Sequence, residues 1–264
     1  MLAEAAVQSK DGPYRDFTLS DEDWEAVHIA SWLHDCGKMT TSEYVVNKAT
    51  KLHEKQQKME DDFAFVASCN EGGEFLDEDR AEHRIERQER DRIEAKNPWD
   101  FKVRVPDLLY NRGELYNLLV GRGTLSEEER FKINEHIIQT IVMLSQLPFP
   151  KHLRNVPEIA GGHHEKMDGT GYPKQLMKEQ MSPVARMIAI ADIFEALIAV
   201  DRPDKKGKTL SEAIRIMSFM RNDQHIDAEL FDLFLRSGVY KQYAEEHMRP
   251  EQIDTLEIEE YLKT

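Results

Sequence analysis

Cysteine is scarce in this chain, which holds only Cys36 and Cys69 in 264 residues. The two form no C-x-x-C pair, so neither a disulfide framework nor a zinc ribbon is expected, and a reducing compartment such as the cytoplasm is predicted. Long apolar runs are also missing, since the longest, 187–200, spans 14 residues and contains Asp192 and Glu195. A membrane span needs about 20 mostly apolar residues, so none is predicted.

Positive charge is in deficit, with 35 Lys and Arg against 50 Asp and Glu and a formal net charge of −15. Such a chain repels nucleic-acid backbones, which disfavours a general DNA- or RNA-binding surface. A small anionic substrate can still be held by metal ions and a few local cations.

The N-terminus has no basic stretch followed by an apolar core, which predicts no secretory signal. Its helical start suits a module of a longer, sensor-linked protein.

Strand signals are nearly absent, because no stretch sustains apolar and polar alternation, whereas helix signals are frequent. Four helix starts are marked by a capping residue. They are Ser20 with Asp23, Ser126 with Glu129, Ser182 with Pro183, and Thr209 with Glu212. Residues 152–164 are predicted to form a further helix, and Gly37 is predicted to stop the helix that begins at Ser20. The sequence therefore predicts an all-α fold.

One segment differs in composition from the rest of the chain. Residues 77–96 alternate charges of both signs and carry only two large apolar residues, which is typical of a solvated helix. We therefore predict three parts: a core of 1–45 and 111–240, a charged helical insertion over 46–110, and a tail helix over 241–264. The insertion helix is either exposed or a docking helix for a partner.

Three segments carry metal-ligand chemistry. Residues 161–173 read G-G-H-H-E-K-M-D-G-T-G-Y-P, residues 34–38 read H-D-C-G-K, and residues 191–197 read A-D-I-F-E-A-L. In the first of these, Glu165 and Asp168 stand beside the two histidines ahead of a tight glycine turn, and we first group all four as ligand candidates. Asp192 lies in an apolar helix, where an unpaired carboxylate is costly, so it needs a cation.

Taken together, four histidines and two aspartates are predicted to hold metal. They are His34, Asp35, His136, His163, His164 and Asp192. Imidazole and carboxylate suit iron, manganese, zinc or nickel, and six side chains are too many for one tetrahedral ion. Two ions sharing a carboxylate, about 3.5–4 Å apart, produce a bound hydroxide and stabilise displacement at phosphorus. This chemistry points to hydrolysis of a phosphodiester.

The motifs H-D-x-G-K, H-H-E-x-x-D-G-x-G-Y-P and A-D-I-F-E-A-L with D-R-P resemble the HD-GYP family, a branch of the HD metal-dependent phosphohydrolases. The resemblance covers roughly 20–45 and 112–240. It implies an HD-domain helical bundle with a central metal site, acting on a cyclic dinucleotide, chiefly cyclic di-GMP, to give pGpG or GMP. It also implies docking of GGDEF-type signalling domains on the G-Y-P turn, and a homodimer is a further option.

The resemblance also implies a role for individual residues. His34 and Asp192 would bind one ion, Asp35 would bridge, and His136, His163 and His164 would bind the second. Lys38 would contact the scissile phosphate. Arg202 would contact a substrate phosphate, and Tyr172 would shape the substrate loop. Apart from the resemblance, Lys205 lies with Arg202 in a basic loop of an otherwise acidic chain, and this loop could capture phosphates.

Some features depart from the family. Glu195 stands where aspartate is usual, and Asp204 replaces the aromatic residue that often follows D-R-P. The upstream residues that bind a third ion in some members are absent, so two metal ions are predicted. Two alternatives stay open: a phosphodiesterase for 3′3′-cyclic GMP-AMP, and a catalytically weak regulator that binds the nucleotide or a partner protein.

Overall fold

The computed structural model describes residues 1–41, 100–102, 125–200 and 207–262. Contacts divide the chain into two units. The first comprises Met1–Lys38, Phe101–Val103 and Ile137–Thr264, and the second Met39–Asp100 and Arg104–His136. Most of the predicted insertion lies outside the described residues, so the predicted three-part division stays a prediction.

The described residues form α-helices joined by 3₁₀ turns, which confirms the all-α prediction. The helices are α1 (Leu2–Gln8), α2 (Asp21–Leu33), α3 (Glu127–Ser145), α4 (Val156–Gly161), α5 (Pro183–Ile198), α6 (Leu210–Asn222), α7 (Ala228–Arg236) and α8 (Val239–His247). No strand occurs in these ranges, where the nearest approach to one is an isolated antiparallel bridge between Asp168 and Met177.

The predicted helix starts are confirmed. Ser20 accepts a hydrogen bond from the amide of Asp23, whose carboxylate accepts from the amide of Ser20. Ser126 with Glu129 and Thr209 with Glu212 form the same reciprocal pairs at the starts of α3 and α6. Ser182 caps α5 by accepting from the amide of Ala185. These contacts satisfy the amides that have no partner within the first turn of a helix.

Three local predictions need correction. The tail over 241–264 is not one helix, because α8 ends at His247 and is followed by the 3₁₀ turns Pro250–Gln252 and Ile258–Glu260. Residues 152–164 do not form one helix, because a 3₁₀ turn at Lys151–Leu153 precedes α4. Pro157 explains the break, since proline fits only the first turn of a helix and disfavours helical backbone just before it. Nor does Gly37 stop α2, because α2 ends at Leu33 and Gly37 lies within the 3₁₀ turn Cys36–Thr40.

The central helix of the first unit is α5. Its residues belong to two clusters of buried apolar side chains, one formed with α1, α6, α7 and α8, the other with α2, α4 and the end of α3. Buried side chains lie all around α5, which is typical of a helix enclosed by others. The helix α5 also carries Asp192, so this predicted metal ligand stands on a helix that packs into both apolar clusters.

Asp227 ties α5, α7 and the loop that precedes α5. Its buried carboxylate accepts from the guanidinium of Arg186 on α5 and lies 3.2 Å from the ammonium nitrogen of Lys178. The same carboxylate caps α7 by accepting from the amides of Glu229 and Leu230. One side chain therefore balances two cations and completes a helix end.

We expect Asp227→Ala to lower the free energy of unfolding by about 3–5 kcal/mol, because it leaves the largely buried Arg186 without its carboxylate. Urea denaturation measures this loss. The control is Glu245→Ala, whose partner Lys241 is 3.9 Å away on the surface and which should cost at most about 1 kcal/mol. Equal losses in the two variants would contradict a stabilising role for Asp227.

Candidate metal centre

Three of the predicted histidine ligands share one local arrangement. In each, the ring Nδ1 lies within hydrogen-bond distance of the carbonyl oxygen three residues earlier. The pairs are His34 with Ser31 at 2.7 Å, His136 with Ile133 at 2.5 Å and His163 with Ala160 at 2.8 Å. A carbonyl only accepts, so Nδ1 carries the proton and Nε2 is directed away from its own segment. Histidines that bind metal ions are commonly oriented in this way.

His34 lies between two carboxylates. It caps the C-terminal end of α2, and its Nε2 is 3.3 Å from Asp35 Oδ2 and 3.7 Å from Asp192 Oδ1. Burial opposes a charge on this ring, but the hydrogen bonds to Asp192 and Asp35 prevail and raise the pKa of His34 to about 10. The two carboxylates therefore stabilise positive charge at Nε2, and a metal ion can supply that charge in place of a proton.

The two oxygens of Asp35 face different histidines. Oδ2 faces His34, whereas Oδ1 is 3.9 Å from Nε2 of His163. The side chain of His163 is fully buried, and burial lowers its pKa to about 4. His163 is therefore neutral at pH 7, which is the form of imidazole that binds a metal ion.

These distances fit a metal ion. Ligand atoms of His34, Asp35 and His163 all lie within 4.8 Å of one another. Two ligand atoms that are each about 2.1 Å from one ion lie roughly 3.0–4.2 Å apart, depending on the angle between them. The separations of 3.3, 3.7 and 3.9 Å fall in this range. Imidazole with carboxylate is also the donor set of manganese, iron and zinc sites.

Asp192 completes the acidic part of this cluster. Burial works against its charge, but the hydrogen bond with His34 and the neighbouring rings of His163 and His164 hold the pKa of Asp192 below its ordinary value. Glu195, one turn later on α5, is exposed.

His136 is the last residue of the second unit, and its helix α3 continues into the first. The residue is buried. Thr140 follows four positions later, so the two side chains lie on one face of α3. Within the first unit, Oγ1 of Thr140 accepts a hydrogen bond of 2.9 Å from the amide of Gly37.

His164 belongs to the loop that carries Tyr172. The two rings are stacked, with centroids 4.9 Å apart, and the amide of Tyr172 donates to the carbonyl of His164 at 3.2 Å. The ring of His164 also lies 4.2 Å from that of His163. Burial, with the charges of Asp192 and Asp35, keeps the pKa of Tyr172 above its usual value, so its hydroxyl is protonated at pH 7.

Glu165 and Asp168, which the sequence grouped with the ligand candidates, build the loop instead. The buried carboxylate of Glu165 accepts from the amides of Lys174 at 2.6 Å and Leu176 at 2.9 Å, and burial raises its pKa despite these bonds. Asp168 accepts from the amide and hydroxyl of Thr170. The grouping was wrong because a short motif does not show which acids turn toward backbone amides.

Gly171 lets this loop close on itself. A Cβ atom there would lie 2.3 Å from the amide nitrogen of Lys166 and 2.5 Å from Cα of Glu165. No side chain fits that space without moving the backbone. The backbone of Lys102 also pairs with the loop, since its amide donates to the carbonyl of Pro173.

The predicted substrate-binding residues have different outcomes. The ammonium nitrogen of Lys38 lies 2.5 Å from Asp35 Oδ2, and about half of its side chain is exposed to solvent. Arg202 and Lys205 lie outside the described residues. The first unit thus brings together seven predicted residues, namely His34, Asp35, Lys38, His163, His164, Tyr172 and Asp192.

Comparison with known families agrees with this site. The HD domain profile matches residues 75–230, more than half of the chain. The chain belongs to the HD domain family. The matched range contains His136, His163, His164 and Asp192, and it begins after the His34–Asp35 pair. The resemblance to the HD-GYP branch and the HD-domain bundle fold are thereby confirmed, and HD domains bind divalent metal ions.

Several curated relatives match part of the chain. A cyclic di-GMP phosphodiesterase of Pseudomonas aeruginosa is 35% identical over 140 residues, which cover 53% of this chain and 30% of the relative. The 3′3′-cGAMP-specific phosphodiesterase 1 of Vibrio cholerae is 34% identical over 134 residues, covering 50% and 30%. A cyclic di-GMP phosphodiesterase response regulator of Xanthomonas campestris pv. campestris is 31% identical over 137 residues, covering 51% and 32%. The matches span about a third of the length of these relatives.

Among the described residues, no helix is both long enough and apolar enough to cross a membrane.

Proposed function

We propose that this HD domain chain is a metal-dependent phosphodiesterase that hydrolyses a cyclic dinucleotide. The observation that carries the proposal is the orientation of Asp35. Its oxygens are directed to His34 and to His163, at 3.3 and 3.9 Å, as expected of a carboxylate shared by two ions. A site of this kind suits attack on a phosphodiester.

Six side chains would hold the ions. His34 and Asp192 form the first set, and Asp35 joins it to a second set of His136, His163 and His164. For His136 the support is the family resemblance, together with the contact of its Nδ1 with the carbonyl of Ile133, which directs Nε2 away from its own helix. Iron, manganese, zinc and nickel all suit these donors. When bound, two such ions supply a nucleophile from water and positive charge beside the phosphate oxygens.

The chain itself would bind and orient the substrate. Lys38 stands beside Asp35 with half of its side chain in solvent, so its ammonium group would be available to a phosphate oxygen of the substrate. Tyr172 is held by its stack on His164 and would form a wall of the substrate site. Arg202 and Lys205 would add positive charge for the second phosphate.

The choice of cyclic dinucleotide rests on the relatives. We propose cyclic di-GMP, cleaved to pGpG or GMP, because two of the three relatives named above are cyclic di-GMP phosphodiesterases. The second candidate is 3′3′-cyclic GMP-AMP, since a relative of nearly equal identity is specific for it. A catalytically weak regulator is disfavoured because all six ligand residues are present.

A substrate panel tests this function. Protein purified without oxygen and loaded with Mn²⁺ or Fe²⁺ is expected to linearise cyclic di-GMP. The second substrate of the panel is 3′3′-cyclic GMP-AMP, and the products are resolved by chromatography. Chelation should remove the activity, and the added ion should restore it. His163→Ala should be inactive, whereas His152→Ala, whose ring pairs with Glu25 on the surface, should be active. Undiminished cleavage by metal-free protein, or none of either nucleotide by loaded protein, would refute the proposal.

Partners and location follow from the same function. We propose that the G-Y-P turn docks a GGDEF-type domain, because the family resemblance implies such a docking surface and Tyr172 of this turn stacks on the predicted ligand His164. Action on that messenger requires a cytoplasmic site, which the free Cys36 suits. A homodimer is a further option, which the molar mass of the protein in solution would test.

A further inference from the structure

Thr140 makes a contact that helix α3 alone does not need. The residue is fully buried, and its Oγ1 accepts a hydrogen bond of 2.9 Å from the amide of Gly37, 103 positions earlier in the chain. A threonine inside a helix commonly bonds a carbonyl of the preceding turn. Here its hydroxyl oxygen accepts from a distant backbone segment and holds that segment in place.

The segment held by Thr140 is the turn that aims Asp35. Gly37 is buried two residues after Asp35, and the amide of Lys38 closes the turn by donating to the carbonyl of Asp35 at 2.9 Å. The turn is thus fixed from within by Lys38 and from outside by Thr140. A rotation of this turn would move both oxygens of Asp35 relative to the two histidines that they face.

The neighbour of Thr140 fixes the other side of the centre. A Cβ atom at Gly161 would lie 2.3 Å from Cγ1 of Ile141, so α3 and the end of α4 are in close contact there. His163 follows Gly161 by two residues. Thr140 therefore contacts the segment of Asp35, and its neighbour Ile141 contacts the segment of His163. These two contacts with α3 fix the distance between the two segments.

We propose that Thr140 is a positioning residue of the metal centre, which sets the bridging orientation of Asp35 through the amide of Gly37. Thr140 touches neither metal nor substrate in this proposal. The inference rests on the proposed function only in taking Asp35 as a ligand of both ions, and metal affinity can be measured without any substrate.

The test compares Thr140→Val, which has the same shape without a hydroxyl, with Thr140→Ser, which keeps it. We expect Thr140→Val to raise the dissociation constant for Mn²⁺ by about 10-fold, as is usual when a residue that orients a ligand is lost. Its kcat should fall while KM changes little. Thr140→Ser should stay within about threefold of the wild-type protein in both measurements.

The matched control is Ser218→Ala, which removes a buried hydroxyl that donates to Arg215 of its own helix. It should leave the Mn²⁺ affinity unchanged whatever it does to the melting temperature. Wild-type Mn²⁺ affinity in Thr140→Val, or a loss in Thr140→Ser equal to that in Thr140→Val, overturns the proposal. If Thr140→Val does not fold, the smaller Thr140→Ala must show the 10-fold loss, and unchanged affinity in it overturns the proposal equally.

The outcome is separate from that of the proposed function. A wild-type chain that binds Mn²⁺ but cleaves no cyclic dinucleotide would refute the proposed activity. The Mn²⁺ affinities of the Thr140 variants would still test the positioning role of Thr140.

Discussion

Asp35→Asn is expected to abolish cyclic dinucleotide hydrolysis, with a loss of at least about 10³-fold in kcat/KM, and to lower the metal content of the purified protein. Asparagine keeps the shape of the side chain but removes its negative charge and replaces one of the two oxygens by an amide nitrogen. The two oxygens face His34 at 3.3 Å and His163 at 3.9 Å, so the variant loses a ligand atom on one side. Metal analysis and a turnover assay measure the two effects.

The control for this variant is Asp16→Asn. Asp16 is exposed and pairs with its neighbour Arg15, so the change removes the same charge from a residue that is not a predicted ligand. Activity and metal content should both match the wild-type protein. If Asp35→Asn retained its full metal content and turnover, Asp35 would not be a shared ligand, and the binuclear centre would have to be abandoned.

Glu165→Gln is expected to damage the site through its loop. The carboxylate accepts from the amides of Lys174 and Leu176, one with each oxygen. Glutamine offers one acceptor oxygen and points an NH₂ group at the other amide, so one buried donor loses its acceptor. The free energy of unfolding should fall by about 1–3 kcal/mol. We also expect kcat/KM to fall roughly 10- to 100-fold, since Tyr172 and His164 belong to this loop.

The matched control is Glu158→Gln, an exposed position on α4 seven residues earlier. It should change neither stability nor turnover. Urea denaturation and Michaelis–Menten kinetics separate the two effects of Glu165→Gln. A variant that is as stable and as active as Glu158→Gln would show that these backbone contacts do not maintain the site.

These predictions share a structural basis, because the centre is supported by buried polar contacts with the backbone. Glu165 holds the G-Y-P loop, Thr140 holds the turn after Asp35, and Asp227 ties α5 to α7. In a low-dielectric interior each such bond is costly to break. Ligands that are held in this way lose little conformational entropy when an ion binds.

Local chemistry was sufficient to predict the helices. Ser20 with Asp23 and Ser126 with Glu129 form the capping contacts expected from their spacing, because a capping bond closes within four residues. The sequence also grouped His34, Asp35, His163 and Asp192, whose side chains lie close together in the structure, while their binding of metal ions stays a prediction. Errors arose where a proline or a 3₁₀ turn changed the path of the chain, as at Pro157 and Gly37.

By itself the sequence determined the all-α class and the capped helix starts, because periodicity and capping act over a few residues, and it supplied the candidate metal ligands as a prediction. Only the tertiary structure decided which oxygen of Asp35 faces which histidine, that Glu165 binds backbone amides, and that Thr140 reaches Gly37. The physical reason is separation along the chain: Thr140 and Gly37 are 103 residues apart, and such a contact exists only after the helices have packed.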